Sequence, residues 1–120
     1  GGPLIDLAMG AAVIREIKKK KLLTNAQRMG KRIRGRLEEI HTETGNIHDA
    51  RGIGLMQGFD LPDAEKRNQF REKLFQKGLI MLGCGTQGMR ISPSLNITQG
   101  EIDEGMDIIG ETAKEMRWKK

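Results

Sequence analysis

Arg90 is the residue whose type fits its neighbourhood least. It stands between Met89 and Ile91 in a short apolar run, after a glycine-rich turn and ahead of Ser92-Pro93. Arginine is costly to bury without a partner, and its planar fork suits a carboxylate held by two parallel hydrogen bonds. The residues alone leave two readings open, an outer-face strand arginine pointing to solvent or a carboxylate clamp. The other chemistry-bearing groups carry less. A hydrolase triad needs a nucleophile, a base and an orienter. His41 and His48, the two histidines, fall at the end of a charged helix and in a loop with no defensible Ser or Cys partner, so both read as surface histidines. Gly52, Gly54 and Gly58 superficially fit a phosphate loop but lack the Walker Lys-Ser/Thr and lie inside a strand pattern. Gly83-Cys84-Gly85 has the form of an anion nest, although a plain hairpin turn explains it more simply. Cys84 has no basic sequence neighbour to activate its thiol. The carboxylates fall mostly on exposed helix faces, with no pair placed for acid–base work.

Charge is distributed unevenly. Of 21 Lys+Arg against 16 Asp+Glu, ten basic residues and only one acid, Glu16, lie between Arg15 and Arg36. That stretch carries +9, so the remainder sums to −4 within the total of +5. Such a block can grip phosphates by counterion release. With no Tyr anywhere, and Trp118 and the Phe residues far away, the aromatic platforms of single-strand binding are missing, and no duplex-docking motif accompanies the block. A solvated helical face is the simpler reading. No segment approaches the roughly 18 apolar residues of a membrane span. The Gly-Gly-Pro start has no signal-peptide pattern, and one cysteine excludes an intramolecular disulfide or Cys-cluster zinc site. The expected compartment is the reducing cytoplasm.

These residues must be positioned by a chain long enough for one domain with a real core. Leu4, Leu7, Ala8, Ala11, Ala12 and Ile14 predict a first helix over residues 4–20, with Gly10 at a close packing point. Thr24-Asn-Ala-Gln27 has the form of a capping box. It predicts a second helix over 25–43, with Met29, Ile33, Leu37 and Ile40 as its apolar stripe and Gly45-Asn46 as its stop. Residues 51–61 alternate as one strand with a bulge or close backbone approach at its glycines. Pro62 ends it, Asp63 caps a helix to Lys77 with Phe70, Leu74 and Phe75 inward, and Gly78 stops that helix. Leu79–Leu82 predicts a buried strand, Gly83–Gly88 a turn, and Met89–Ser92 a strand pairing back on it. Thr98-Gln-Gly-Glu101 is a second capping box, flanked by Ile97 and Ile102 as a hydrophobic staple. It opens a helix to about Arg117, buried along Ile102, Met106, Ile109, Ala113 and Met116. The order predicts an α+β fold in two layers, a small three- to four-stranded, mostly antiparallel sheet covered by helices.

The segments Gln76-Lys-Gly-Leu-Ile-Met-Leu-Gly-Cys-Gly85, Met89-Arg-Ile-Ser-Pro-Ser-Leu-Asn-Ile-Thr98 and Glu101-Ile-Asp-Glu-Gly105 resemble the C-terminal end of class III aminotransferases, fold type I enzymes that use pyridoxal phosphate. Asp49-Ala-Arg-Gly-Ile-Gly-Leu-Met-Gln-Gly58 resembles their D-V-R-G-x-G-L-M-x-G strand, and Gly-Gly-Pro-Leu4 and Leu22-Leu-Thr-Asn-Ala26 the stretch leading into their small domain. The Gly-Cys-Gly turn and Ala64-Glu-Lys-Arg-Asn68 are most similar to the 4-aminobutyrate aminotransferase branch. Two departures stand out: Ser94 replaces the usual second Pro, and Gly-Gly-Pro lacks the family's Asn and the preceding Thr.

The resemblance implies that residues 1–120 are a single C-terminal small domain, with residues 1–20 a connecting helix from a large domain not in this sequence. It implies a whole enzyme, a homodimer or larger, that uses pyridoxal phosphate to pass an amino group from a donor to 2-oxoglutarate. Arg90 would bind the substrate carboxylate. No Lys here matches the Schiff-base motif, so no cofactor is expected on this chain alone, and the chain alone should be inactive. The competing class is a free-standing basic module binding nucleic acid or an acidic partner.

Overall fold

In a computed structural model, residues 5–8 and 16–116 are described. Their order is β1 (Ile5–Asp6), α1 (Glu16–Thr44), β2 (His48–Ile53), β3 (Met56–Asp60), α2 (Ala64–Gln76), β4 (Leu79–Ile80), β5 (Leu82–Cys84), β6 (Gly88–Ile91) and α3 (Gln99–Glu115). The main sheet runs β2-β3-β6-β5, antiparallel throughout, and β1 pairs with β4 in parallel. The fold is the expected α+β arrangement, a four-stranded antiparallel sheet with helices packed against one face.

The sheet's alternation sets that packing. Gln57 and Phe59 on β3 and Met89 and Ile91 on β6 are buried beneath the helices, while the intervening Met56, Gly58 and Arg90 belong to the opposite face. The α1 stripe of Met29, Ile33, Leu37 and Ile40 and the α3 stripe of Ile102, Met106, Ile109 and Ala113 close on the same core. Thr98 caps α3 with both halves of the box formed, and the staple residues Ile97 and Ile102 are buried. Asp63 caps α2 by accepting from the Lys66 backbone N–H at 2.8 Å.

Five expectations change. Residues 5–6 form a strand, not the start of a helix. Leu7 donates to the Ile80 carbonyl and accepts from the Ser92 N–H, which seats β1 between β4 and the chain leaving β6. Residues 9–15 of that proposed helix, Gly10 included, lie outside the described residues. Next, α1 is one helix through Thr24, so that capping box has no helix start to cap. Asn25 instead donates to the carbonyls of Leu95 and Ile97, both at 3.0 Å. Gly45, at φ 66°, is the stop.

Residues 51–61 are a hairpin rather than one strand, turning at Gly54-Leu55, with the close backbone approach at Gly52, where a Cβ would lie 2.0 Å from the Met56 carbonyl oxygen, and with the register shift falling earlier, between His48 and Arg51, away from the glycines. Phe75 is 58% exposed, because it lies about 100° around α2 from Leu74 and misses the narrow stripe that Leu74 shares with Phe70. Finally, 79–82 is not one buried strand. Met81 separates β4 from β5, the strands take different partners, and Leu82 turns outward at 41% exposed. The turn proper shrinks to residues 85–87.

Candidate functional site

Arg90 sits on β6, an interior strand, directly between Gly58 on β3 and Leu82 on β5. It therefore lies mid-sheet rather than at the sheet's edge. Its neighbours Met89 and Ile91 are fully buried on the helix side, so the two-residue period turns Arg90 to the open face, where it is exposed. Around it, Ile53 is 89% exposed and Met56 54%. These two close the hairpin opposite each other. With Gly52, Gly58 and Cys84 they line a shallow recess of about 320 Å³ that also contains Arg51 and Arg90.

The two arginines of this face differ in their partners. Arg51 donates through Nη2 to Asp60 Oδ1 at 3.0 Å and through Nη1 to Asp49 Oδ2 at 3.2 Å. Among the described residues Arg90 has no carboxylate partner, and its hydrogen bond runs from Nη2 to Cys84 Sγ at 3.4 Å. A guanidinium with an apolar collar, a thiol contact and, among the described residues, no counter-charge can take an external anion with an aliphatic body. Carboxylate geometry matches its fork.

The basic stretch reads differently in three dimensions. Arg32 grips Asp103 by two parallel bonds of 2.6 and 2.9 Å, which raises the Arg32 pKa and holds the Asp103 carboxyl below its ordinary range. Arg36 donates to Asp107 at 2.9 Å. Arg34 donates to Gln57 Oε1 at 2.9 Å and the Gly52 carbonyl at 3.1 Å. Three of the block's arginines thus bind α3 or the hairpin. Side chains of residues 15–20 lie outside the described set.

The remaining candidates take structural places. His41 Nδ1 lies 2.6 Å from the Ile47 carbonyl oxygen, and its ring meets that of His48 edge-on at 5.7 Å. Among the described residues neither histidine bonds a Ser or Cys. Arg67 donates to the carbonyls of Gly88 and Gly85 at 2.8 and 3.4 Å, so this turn shows a cation its carbonyls rather than an anion its N–H groups. Among the described residues no group of three His, Cys, Asp or Glu could hold a metal ion, and no helix is long and apolar enough to cross a membrane. Sequence reasoning missed Cys84 as the contact of Arg90. The signal lay in register, since Cys84 pairs with Gly88, two residues along the same face from Arg90.

The family model of class-III aminotransferases matches residues 1–112. An L-lysine-epsilon aminotransferase of Amycolatopsis lactamdurans is 35% identical over 111 residues, covering 91% of this chain and 25% of its own length. A 5-aminovalerate aminotransferase of Pseudomonas putida is 35% identical over 124 residues, covering 96% of this chain and 29% of its own. The solved lysine aminotransferase of M. tuberculosis superposes with a TM-score of 0.76 at 31% identity, over 80% of this chain and 22% of that one. This chain thus spans about a quarter of the length of the relatives it matches.

Proposed function

From the premise that this chain belongs to the class-III aminotransferases, we propose that it is the C-terminal small domain of such an enzyme, holding the substrate carboxylate on Arg90 while the rest of the polypeptide supplies the reaction centre. The supporting observation is the Arg90 guanidinium itself, exposed in an apolar recess with no carboxylate partner among the described residues. The family implies pyridoxal phosphate, which when bound supplies the electron sink for amino transfer. The described strands carry no lysine, and the lysines among the described residues stand on α1, on α2 and its cap, and on α3. The described face around Arg90 thus offers no amine to the cofactor's aldehyde, which supports a reading in which the large domain holds the cofactor.

Lysine and 5-aminovalerate, named for the relatives, are carboxylates bearing a terminal amine, as 4-aminobutyrate is. The substrate class proposed here is that of ω-amino carboxylates, 4-aminobutyrate among them, with 2-oxoglutarate as acceptor in a homodimeric enzyme. Arg90 fixes one end of the substrate so that the reacting end arrives in a set orientation, and Ile53, Met56 and Leu82 shed water from the aliphatic body. The basic-module alternative is less favoured, because three of the stretch's ten basic residues, Arg32, Arg34 and Arg36, are engaged within the molecule.

The test is kinetic, in the whole enzyme. A charged hydrogen bond to a carboxylate is worth about 1.5–3 kcal/mol, so Arg90→Ala should lower kcat/KM about 10- to 150-fold for amino acid and keto acid substrates. Arg90→Lys should lower it nearly as much, because the fork is lost. An amine without a carboxylate should be little affected in its own half-reaction. Equal losses for both substrate types would refute the assignment.

A further inference from the structure

We propose that Cys84 is a positioning residue for Arg90, selecting which edge of the guanidinium is offered to a carboxylate. The proposal rests on the reading of Arg90 as the carboxylate clamp. It starts from the register: Leu82 faces Arg90 and Cys84 faces Gly88 across β5 and β6, so the Cys84 side chain is diagonal to Arg90 on the open face. From there Sγ accepts from Arg90 Nη2 at 3.4 Å, the one side-chain hydrogen bond of that fork among the described residues.

The choice of Nη2 matters. A guanidinium offers two bidentate edges, Nε with Nη2 and Nη1 with Nη2, and each uses a different Nη2 hydrogen. A sulfur engaging one of those hydrogens leaves a single complete edge, so a carboxylate has one two-bond approach. Arg32 shows in the same molecule what a full edge achieves, taking Asp103 through Nε and Nη2 at 2.6 and 2.9 Å.

The acceptor's chemistry matters equally. Arg51, on the same face, is held by the carboxylates of Asp60 and Asp49, which orient it but also supply its counter-charge. A thiol is a weak acceptor. It orients Arg90 without occupying it, and a substrate carboxylate displaces nothing strong. Cysteine at this position thus combines two properties of which alanine and aspartate each have only one.

Three substitutions separate these properties. In the whole enzyme, Cys84→Ala should raise KM for carboxylate substrates about three- to tenfold with kcat nearly unchanged. Cys84→Ser, which keeps an acceptor, should restore most of that loss. Cys84→Asp should give Arg90 a resident carboxylate and approach the defect of Arg90→Ala. None should alter KM for an amine lacking a carboxylate, a selectivity that mere structural damage would not produce. A readout independent of activity is the Arg90 Nε–H resonance of this chain, which should move in Cys84→Ala and Cys84→Asp and stay near its original position in Cys84→Ser.

If Arg90→Ala weakens carboxylate use while Cys84→Ala changes neither KM nor the resonance, the positioning role is overturned and the clamp stands. If Arg90→Ala itself leaves carboxylate use intact, the clamp reading fails. If Cys84→Asp leaves KM for carboxylates unchanged, the proposal that the face needs an uncharged acceptor is overturned.

Discussion

Arginines in two regions of this molecule serve opposite ends. Along the seam between α1 and α3, Arg32 and Arg36 are spent on Asp103 and Asp107, and Arg34 is spent on the hairpin through Gln57 and Gly52. On the open face of the sheet, Arg90 faces solvent beside Ile53, Met56 and Leu82 with only a thiol contact. Three arginines of the densest positive stretch are thus structural, while an isolated arginine in a four-residue strand has no carboxylate partner among the described residues. What recommends Arg90 for the proposed role is that, among the described residues, it has no carboxylate partner on a sheet face that also leaves apolar side chains uncovered.

If the comparison holds, damage to the helix side should appear as lost stability, and damage to the open face as lost affinity. Of the stability effects predicted for the helix side, the largest belongs to Gly30 on α1. A Cβ there would lie 2.0 Å from the Gly54 carbonyl oxygen, a backbone atom that cannot swing aside. Gly30→Ala should therefore push the hairpin off α1 and cost about 1–3 kcal/mol or more, read as a fall in the urea midpoint. Gln57→Leu comes next. It removes the acceptor of Arg34 Nε and the donor to the Gly54 carbonyl at 2.8 Å, leaving polar groups unpaired at a cost of about 1–3 kcal/mol in the same measurement. Thr98→Ala breaks a complete capping box and should cost about 1 kcal/mol.

A smaller effect concerns pH. Hydrogen bonds from Arg32, Lys66 and Lys77 hold the carboxyls of Asp103, Asp63 and Glu115 below their ordinary range. A carboxyl depressed in the folded state stabilises above its unfolded pKa, and that contribution fades as pH falls through the folded value. Stability should be level from neutral pH to about pH 5 and decline below about pH 4. Asp103→Asn should make the decline shallower. An unchanged slope would show that the seam's ion pairs contribute nothing to acid sensitivity.

The parts of this structure legible in the sequence are those fixed by near neighbours. The box of Thr98 and Glu101, the Asp63 cap and the Gly45 stop act over three or four residues, and all form. What was illegible depends on distant partners. Thr24-Asn-Ala-Gln27 has the same local form as a real cap, but Asn25 is claimed by carbonyls 70 and 72 residues away. The hairpin was hidden because its Gly54-Leu55 turn lacks the usual polar residue and because Gln57, a polar residue, lies on the core face for Arg34. Arg90 was conspicuous as an arginine in an apolar run. Its exposure, its mid-sheet place and its contact with Cys84 come from strand register, which the sequence of one strand does not contain.

The central claim is that Arg90 serves a ligand and not the fold, and one paired measurement on Arg90→Ala tests it. Urea denaturation of this chain gives the stability change, and half-reaction kinetics of the whole enzyme give the change in carboxylate recognition. The account predicts a stability change within about 0.5 kcal/mol together with a loss of about 10- to 150-fold in kcat/KM for carboxylate substrates alone. An unfolded or strongly destabilised chain with carboxylate recognition unchanged would make Arg90 a structural residue and contradict the account.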